Sequence, residues 1–230
     1  MIAKHPVSDE LEWFRPLLRP SSDKWIHRVD ELLPRGYDVY LRLFHPFQPW
    51  STDSTDSKEE VPRSQLRSWE SLALEANVIY HGELSWKSLE PVIPIVGEGR
   101  RYATLEGQLV RDTARTLMSA LAIGSDDQQL LFLYDHPGTN FASPEGLPFA
   151  FEGRPADIDD VIDAAGYILG PTYIWPRDRS WLVATDYDLV STYIACGSEL
   201  ARTLLDTDGI EVLAVSLTSR IDGGQDLING

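Results

Sequence analysis

Residues 175–188, which read WPRDRSWLVATDYD, constrain the fold of this chain more than any other stretch. Trp175 and Trp181 flank the segment 176–179, whose proline, aspartate and arginines are typical of a tight turn. After the turn, apolar and small residues alternate from position 181 to 185, which predicts a β-strand with Trp181 facing one side. The stretch therefore predicts a turn-and-strand element at the core of a sheet.

Helical and strand patterns are interleaved irregularly along the rest of the chain. Apolar spacings of three and four predict helices at 9–18, 24–33, 65–75, 105–123, 158–165 and 198–205. Alternating or continuous apolar runs predict strands at 36–44, 129–134, 149–151, 167–169, 180–185 and 210–217. A doubly wound parallel sheet needs strands that alternate strictly with long helices, which is not the order here. The patterns predict an α+β fold with an antiparallel or mixed central sheet and helices packed mainly on one face.

The length of 230 residues suits a single domain, which we place at 1–230. Residues 51–63 begin with the polar run STDSTDSKEE, which cannot bury enough apolar surface to order itself, and we predict a mobile loop there. Residues 221–230 are rich in glycine and aspartate, and we predict a frayed tail.

The charge of the chain bears on its partners and its compartment. Thirty-six acidic and 20 basic residues give a net charge of −16, which opposes binding to nucleic acid or to an anionic membrane and favours a basic protein partner. The N-terminus shows no signal-peptide pattern and no apolar run reaches membrane-spanning length, so we expect a cytoplasmic protein. The oligomeric state is left open by the sequence.

A few side chains are candidates for ligand binding. Asp186 and Asp188 point the same way if the strand continues to them, and such a pair can bind a cation or serve acid/base chemistry. We take Trp175, Arg177, Arg179, Asp186 and His45, which precedes a proline at a predicted strand end, as ligand-binding candidates. The structural alternative places the tryptophans in the core and the two aspartates on turn amides.

Known catalytic patterns are missing from the sequence. There is no His-Glu-x-x-His pair, no phosphate-binding loop and no Gly-x-Ser-x-Gly elbow. Cys196, the single cysteine, lies among small and apolar residues, as a buried structural thiol does. We therefore predict no catalytic residue, no metal site and no cofactor.

Two stretches carry a resemblance to other proteins. Residues 175–188 with the following Ser191-Thr192-Tyr193-Ile194 resemble a group of uncharacterised bacterial proteins, mainly actinobacterial, that carry a WWPxDRxWxVAT(D/E)xD tract followed by TYVGG. Residues 40–46, YLRLFHP, are similar to that group's second signature, an aromatic-x-Arg-x-x-His-Pro strand end. The chain departs from the group at Ile174, where the group has a second tryptophan, and at 195–197, where Ala-Cys-Gly replaces paired glycines. The group has no assigned activity, so the resemblance implies a shared fold and supplies no catalytic residue.

Two functions from different classes follow as hypotheses. The first is a non-enzymatic acidic binding protein, in its most concrete form an immunity protein that neutralises a basic toxin. The alternative is a small-ligand-binding protein or hydrolase whose pocket lies near Trp175, Arg179, Trp181 and Asp186. Convergence of His45, Arg179 and Asp186 in one pocket would favour the second.

Overall fold

The computed structural model describes residues 4–6, 11–20, 27–51, 61–95, 100–122, 127–135, 148–166 and 169–229. These ranges contain ten strands: β1 Lys4–Pro6, β2 Val39–Phe44, β3 Gln48–Ser51, β4 Arg100–Ala103, β5 Leu130–Tyr134, β6 Phe149–Gly153, β7 Tyr173–Pro176, β8 Trp181–Ala184, β9 Ser191–Cys196 and β10 Val212–Val215. They also contain five α-helices: α1 Trp69–Ala76, α2 Trp86–Leu89, α3 Arg111–Leu121, α4 Ile158–Ala165 and α5 Ser198–Leu205.

Eight of these strands form one central sheet in the order β1-β6-β5-β7-β8-β9-β2-β10. Every pairing between neighbours is antiparallel. The remaining strands, β3 and β4, pair with each other in a separate antiparallel ribbon. The predicted α+β class with an antiparallel central sheet is confirmed.

Helices α3, α4 and α5 cover one face of the sheet, which confirms that the helices pack mainly on one side. Their buried residues, such as Leu117, Val161 and Leu204, form one core cluster with inward side chains of the strands, such as Trp181 and Val183. This face of the sheet carries the helices because each presents an apolar stripe that must leave water.

Irregular segments cover the opposite face. Phe14, Val29 and Leu33 from the segment before β2 pack with Trp175, Leu182 and other strand residues in a second cluster. A third cluster joins the end of β2 to α1 and α2, and its centre is the buried indole of Trp69.

Some predicted boundaries are wrong for identifiable reasons. The described part of the predicted helix 9–18 contains turns and a 3-10 helix, Arg15–Leu17, because Pro16 has no amide hydrogen for an α-helical bond. Helix α1 begins at Trp69 because the Ser68 side chain accepts a hydrogen bond from the Ser71 amide and caps it there. The strand predicted at 167–169 has its last residue in a loop, and residues 167–168 lie outside the described residues.

Residues 221–229, within the tail predicted at 221–230, form specific hydrogen bonds with the rest of the described chain. Gln225 is buried and donates a hydrogen bond from its amide to the Leu84 carbonyl. The Asn229 side chain donates to the Ile79 carbonyl and accepts from the Ile79 amide. The segment stays in place because its polar side chains satisfy backbone groups of the region before α2. Of the predicted mobile loop 51–63, residues 52–60 lie outside the described residues.

Within the described ranges, no helix combines the length and the apolar character that crossing a bilayer requires.

Candidate functional site

The two tryptophans of the 175–188 tract face opposite sides of the sheet. Trp175 is 1% exposed and packs against Trp13, Phe14 and neighbouring residues on the side without α3, α4 and α5. Trp181 is 2% exposed and lies in the cluster beneath those helices. Both side chains are core residues, and a single pocket cannot be lined by both.

The two arginines of the same tract lie in the exposed turn between β7 and β8. Arg177 forms an ion pair with Glu152 at 2.6 Å. Arg179 adopts a left-handed backbone conformation with φ of 58°, and its guanidinium lies 5.0 Å from the ring centre of Trp13. The Arg179 carbonyl accepts a hydrogen bond from the Tyr37 hydroxyl. These contacts fasten the turn to the N-terminal segment.

His45 and Asp186 lie at the opposite end of the sheet from this turn. Strand β8 separates Arg179 from Asp186 along the chain, and β9 runs antiparallel to both β8 and β2. The carboxyl ends of β8 and β2 therefore share one end of the sheet, where Asp186 and His45 follow them. The structure does not bring the five predicted ligand-binding residues together.

His45 is fully buried and is the start of a chain of hydroxyl groups. Its Nδ1 lies 2.7 Å from the Leu105 carbonyl oxygen and its Nε2 lies 3.0 Å from Thr192 Oγ1. Thr192 Oγ1 lies 2.7 Å from Thr185 Oγ1. Burial lowers the pKa of His45 to about 4, against the opposing effect of the Leu105 hydrogen bond, so the imidazole is neutral at pH 7.

The direction of these hydrogen bonds follows from the carbonyl at one end. The Leu105 carbonyl only accepts, so the proton of the neutral imidazole is on Nδ1, and Nε2 accepts from the Thr192 hydroxyl. Thr192 Oγ1 then accepts from the Thr185 hydroxyl. The only hydroxyl hydrogen of Thr185 is donated to Thr192. Toward any further partner, Thr185 Oγ1 can therefore act only as a hydrogen-bond acceptor.

Three carboxylates meet at the surface near this end of the sheet. Burial raises the pKa of Asp186 to about 6, and the adjacent Asp188 carboxyl adds to the shift. Burial and the Asp188 charge also raise the pKa of Glu106. In the described part of the chain, no ion pair joins Glu106, Asp186 or Asp188 to a basic side chain. We call these three residues the acidic cluster.

Gly107 brings Glu106 to this cluster. Its amide donates a hydrogen bond to the Leu189 carbonyl, and its φ is 68°. A Cβ atom at this position would lie 2.7 Å from the Tyr187 backbone. Only glycine combines this backbone conformation with so close an approach. The segment before α3 therefore docks on the turn that carries Asp186 and Asp188.

A cavity of about 180 Å³ lies between α3, α4 and the helix-covered face of the sheet. Its walls are mainly apolar, and its polar lining includes Gln48, Thr185 and Arg111. None of the five predicted ligand-binding residues lines it. Sequence reasoning missed the cavity because its lining comes from many separate elements, which no local motif joins.

Arg111 at this cavity is already neutralised. Its guanidinium pairs with Asp163 at 2.6 Å and with Asp159 at 3.3 Å, and these hydrogen bonds and charges raise its pKa. Arg115 pairs with Asp159 as well, at 2.6 Å. The ion pairs join α3 to α4 over the cavity.

The described ranges contain neither a metal-binding cluster nor a reactive thiol. They contain no group of three or more histidine, cysteine, aspartate or glutamate residues arranged to hold a metal ion. Cys196 is buried, and burial raises the pKa of its thiol to about 11, with the Asp38 charge adding to it. A thiol in that state is a poor nucleophile at neutral pH.

Comparison with known proteins gives no assignment: no protein-family model, no curated protein and no solved structure matches this chain.

Proposed function

We propose that this protein is a binding protein that captures a basic partner protein through the acidic cluster Glu106, Asp186 and Asp188. The observation that carries the proposal is the proximity of three carboxylates that form no ion pair with a basic side chain among the described residues. Burial and mutual repulsion hold the pKa of Asp186 at about 6, which costs stability in the isolated chain. A lysine or arginine from a partner would relieve that repulsion.

The charge of the whole molecule supports the same interpretation. A net charge of −16 produces a field that attracts basic proteins and raises their association rate. The most specific form of the proposal is an immunity protein that neutralises a basic toxin of the nuclease type. Nucleases need basic surfaces to bind phosphates, and an acidic surface is complementary to them.

The test is a pulldown from a lysate of the source organism, followed by binding measurements with the purified partner at low and high salt. Asp186→Asn/Asp188→Asn removes two charges from the acidic cluster. The matched control, Asp160→Asn/Glu199→Gln, removes two charges from exposed positions on α4 and α5. We expect a basic partner, weaker binding at high salt, and a loss of about tenfold or more that is confined to the cluster variant.

Two results would contradict the proposal. One is the recovery of no specific partner at either salt concentration. The other is an equal loss of affinity in the cluster variant and the control variant, because net charge alone would then explain binding.

The alternative function, a small-ligand-binding protein or hydrolase with a pocket near Trp175, Arg179, Trp181 and Asp186, has less support. Trp175 and Trp181 lie on opposite faces of the sheet, and Arg179 and Asp186 lie at opposite ends of β8.

A further inference from the structure

We infer that the cavity between α3, α4 and the sheet is a binding site for a small neutral molecule with an apolar, ring-sized body and a hydrogen-bond-donating head. The inference is independent of the basic partner proposed above, because none of the acidic-cluster residues lines the cavity.

The size and the walls of the cavity indicate the body of the ligand. Ala114 and Met118 of α3, Ile158 and Ile162 of α4, and Val183 of β8 form much of its apolar wall. The volume is about 180 Å³, whereas an apolar cavity of roughly 150 Å³ in another protein holds one benzene molecule. A single aromatic ring or an aliphatic group of similar size therefore fits.

Gln48 indicates that the ligand carries a polar head. It is 8% exposed, it lines the cavity, and its side-chain amide has no hydrogen-bond partner among the described residues. Its amide atoms are not among the fully buried, unpaired side-chain atoms of the described residues, so the amide faces space that water or a ligand can reach. A ligand that hydrogen-bonds to Gln48 supplies the missing partner.

Thr185 requires the polar head of the ligand to be a hydrogen-bond donor. Its side chain lies on the same face of the sheet as Val183 and lines the cavity. The Thr185 hydroxyl donates its only hydrogen to Thr192, which donates to His45. Thr185 can therefore accept a hydrogen bond from a ligand but cannot donate one to it. The Gln48 amide can both donate and accept. A hydroxyl group on the ligand therefore satisfies both residues, because it donates its hydrogen to Thr185 and accepts from the Gln48 amide nitrogen.

The charges at the cavity exclude an anionic ligand. Arg111 is the basic side chain of the lining, and Asp159 and Asp163 already occupy its guanidinium. Asp112 and Asp163 also line the cavity, and their carboxylates repel an anion. The site therefore favours a phenol over a benzoate, although the two have similar rings.

Phenol, toluene and benzoate are the probes that separate these features. Toluene replaces the hydroxyl of phenol with a methyl group of similar size, and benzoate adds a negative charge. The chain has two methionines, Met1 and Met118, so methyl-labelled methionine reports the cavity through one assigned signal. We expect phenol to shift the Met118 signal with saturation, toluene to bind more weakly, and benzoate to leave the signal unchanged.

Two variants test the residues. Gln48→Leu keeps the volume, removes the amide, and should fold because no hydrogen bond of the Gln48 side chain to another described residue is lost. We expect it to shift the ratio of phenol affinity to toluene affinity by about five- to tenfold in favour of toluene. Ala114→Leu places a larger side chain in the cavity, and we expect at least a tenfold loss of phenol affinity.

Three results would overturn the inference. They are no saturable Met118 shift with phenol in the wild-type protein, an unchanged phenol-to-toluene ratio in Gln48→Leu, and unchanged phenol affinity in a folded Ala114→Leu protein. None of these measurements contains a protein partner, so their failure and the failure of the proposed function are distinguishable.

Discussion

At the scale of single residues, His45 shows how burial turns a titratable side chain into a structural one. Its ring is fully buried, and both of its nitrogens are hydrogen-bonded to groups of the protein. Burial lowers its pKa from 6.5 to about 4. The imidazole is therefore protonated near pH 6.5 in the unfolded chain but only near pH 4 in the folded protein. Acidification through this window therefore favours unfolding, by up to roughly 3 kcal/mol from this one group.

His45→Gln tests that linkage. The wild-type profile alone mixes two effects, because Asp186, whose pKa is raised to about 6, binds a proton more tightly in the folded state and has the opposite sign. Subtracting the His45→Gln profile isolates His45. From urea unfolding at pH 6 and pH 5, we expect the stability advantage of the wild-type protein to shrink by roughly 1.2 kcal/mol between the two pH values. Parallel profiles for the two proteins would show that His45 does not titrate in this window.

At the scale of elements, the C-terminal segment depends on one carboxylate. Asp226 accepts hydrogen bonds from the Ser88 hydroxyl at 2.7 Å, from the Asn229 amide at 3.0 Å and from the Ser85 amide at 3.3 Å. Burial alone would raise the pKa of Asp226, but these hydrogen bonds more than offset that effect and hold it well below its ordinary value. The charged form of Asp226 therefore holds residues 225–229 against the region around α2.

Asp226→Asn should release this segment. Hydrogen bonds to a charged group contribute about 1.5–3 kcal/mol, and we expect a loss of stability of that size. Hydrogen exchange should accelerate at the amides of Ile79, Ile228 and Asn229, which bond within this network. Asp208→Asn is the control, since Asp208 is exposed and has no partner in the described residues. Equal exchange rates in the two variants would contradict the role of Asp226.

The elements also show which parts of the fold were predictable. The strands β5, β8 and β10 follow apolar runs that local patterns reveal, and the structure confirms them. Strand β9 was missed because its six buried residues, STYIAC, form neither an alternating pattern nor a continuous apolar run. The polar chain from His45 through Thr192 to Thr185 was missed too, because three different segments of the chain supply it. A local pattern cannot report a contact that the sheet order creates.

At the scale of the whole molecule, the excess of acidic residues opposes the folded state. Sixteen uncompensated negative charges repel one another more strongly in the compact protein than in the unfolded chain. Ions screen this repulsion, and the screening length falls from about 30 Å at 0.01 M salt to about 8 Å at 0.15 M. Moderate salt should therefore stabilise the protein as a whole.

A thermal-unfolding titration with sodium chloride at pH 7 checks this expectation. Between about 0.01 M and about 0.15 M salt, we expect the midpoint to rise by roughly 2–4 °C, which corresponds to about 1 kcal/mol for a chain of this length. The same titration at pH 4.6 is the control, because the isoelectric point is about 4.6 and the net charge is then close to zero. A gain at pH 4.6 that equals or exceeds the gain at pH 7 would show that salt acts by another route. Repulsion among the negative charges predicts the opposite order, because proton uptake by histidines and carboxylates at pH 4.6 offsets the net charge whose repulsion salt would screen.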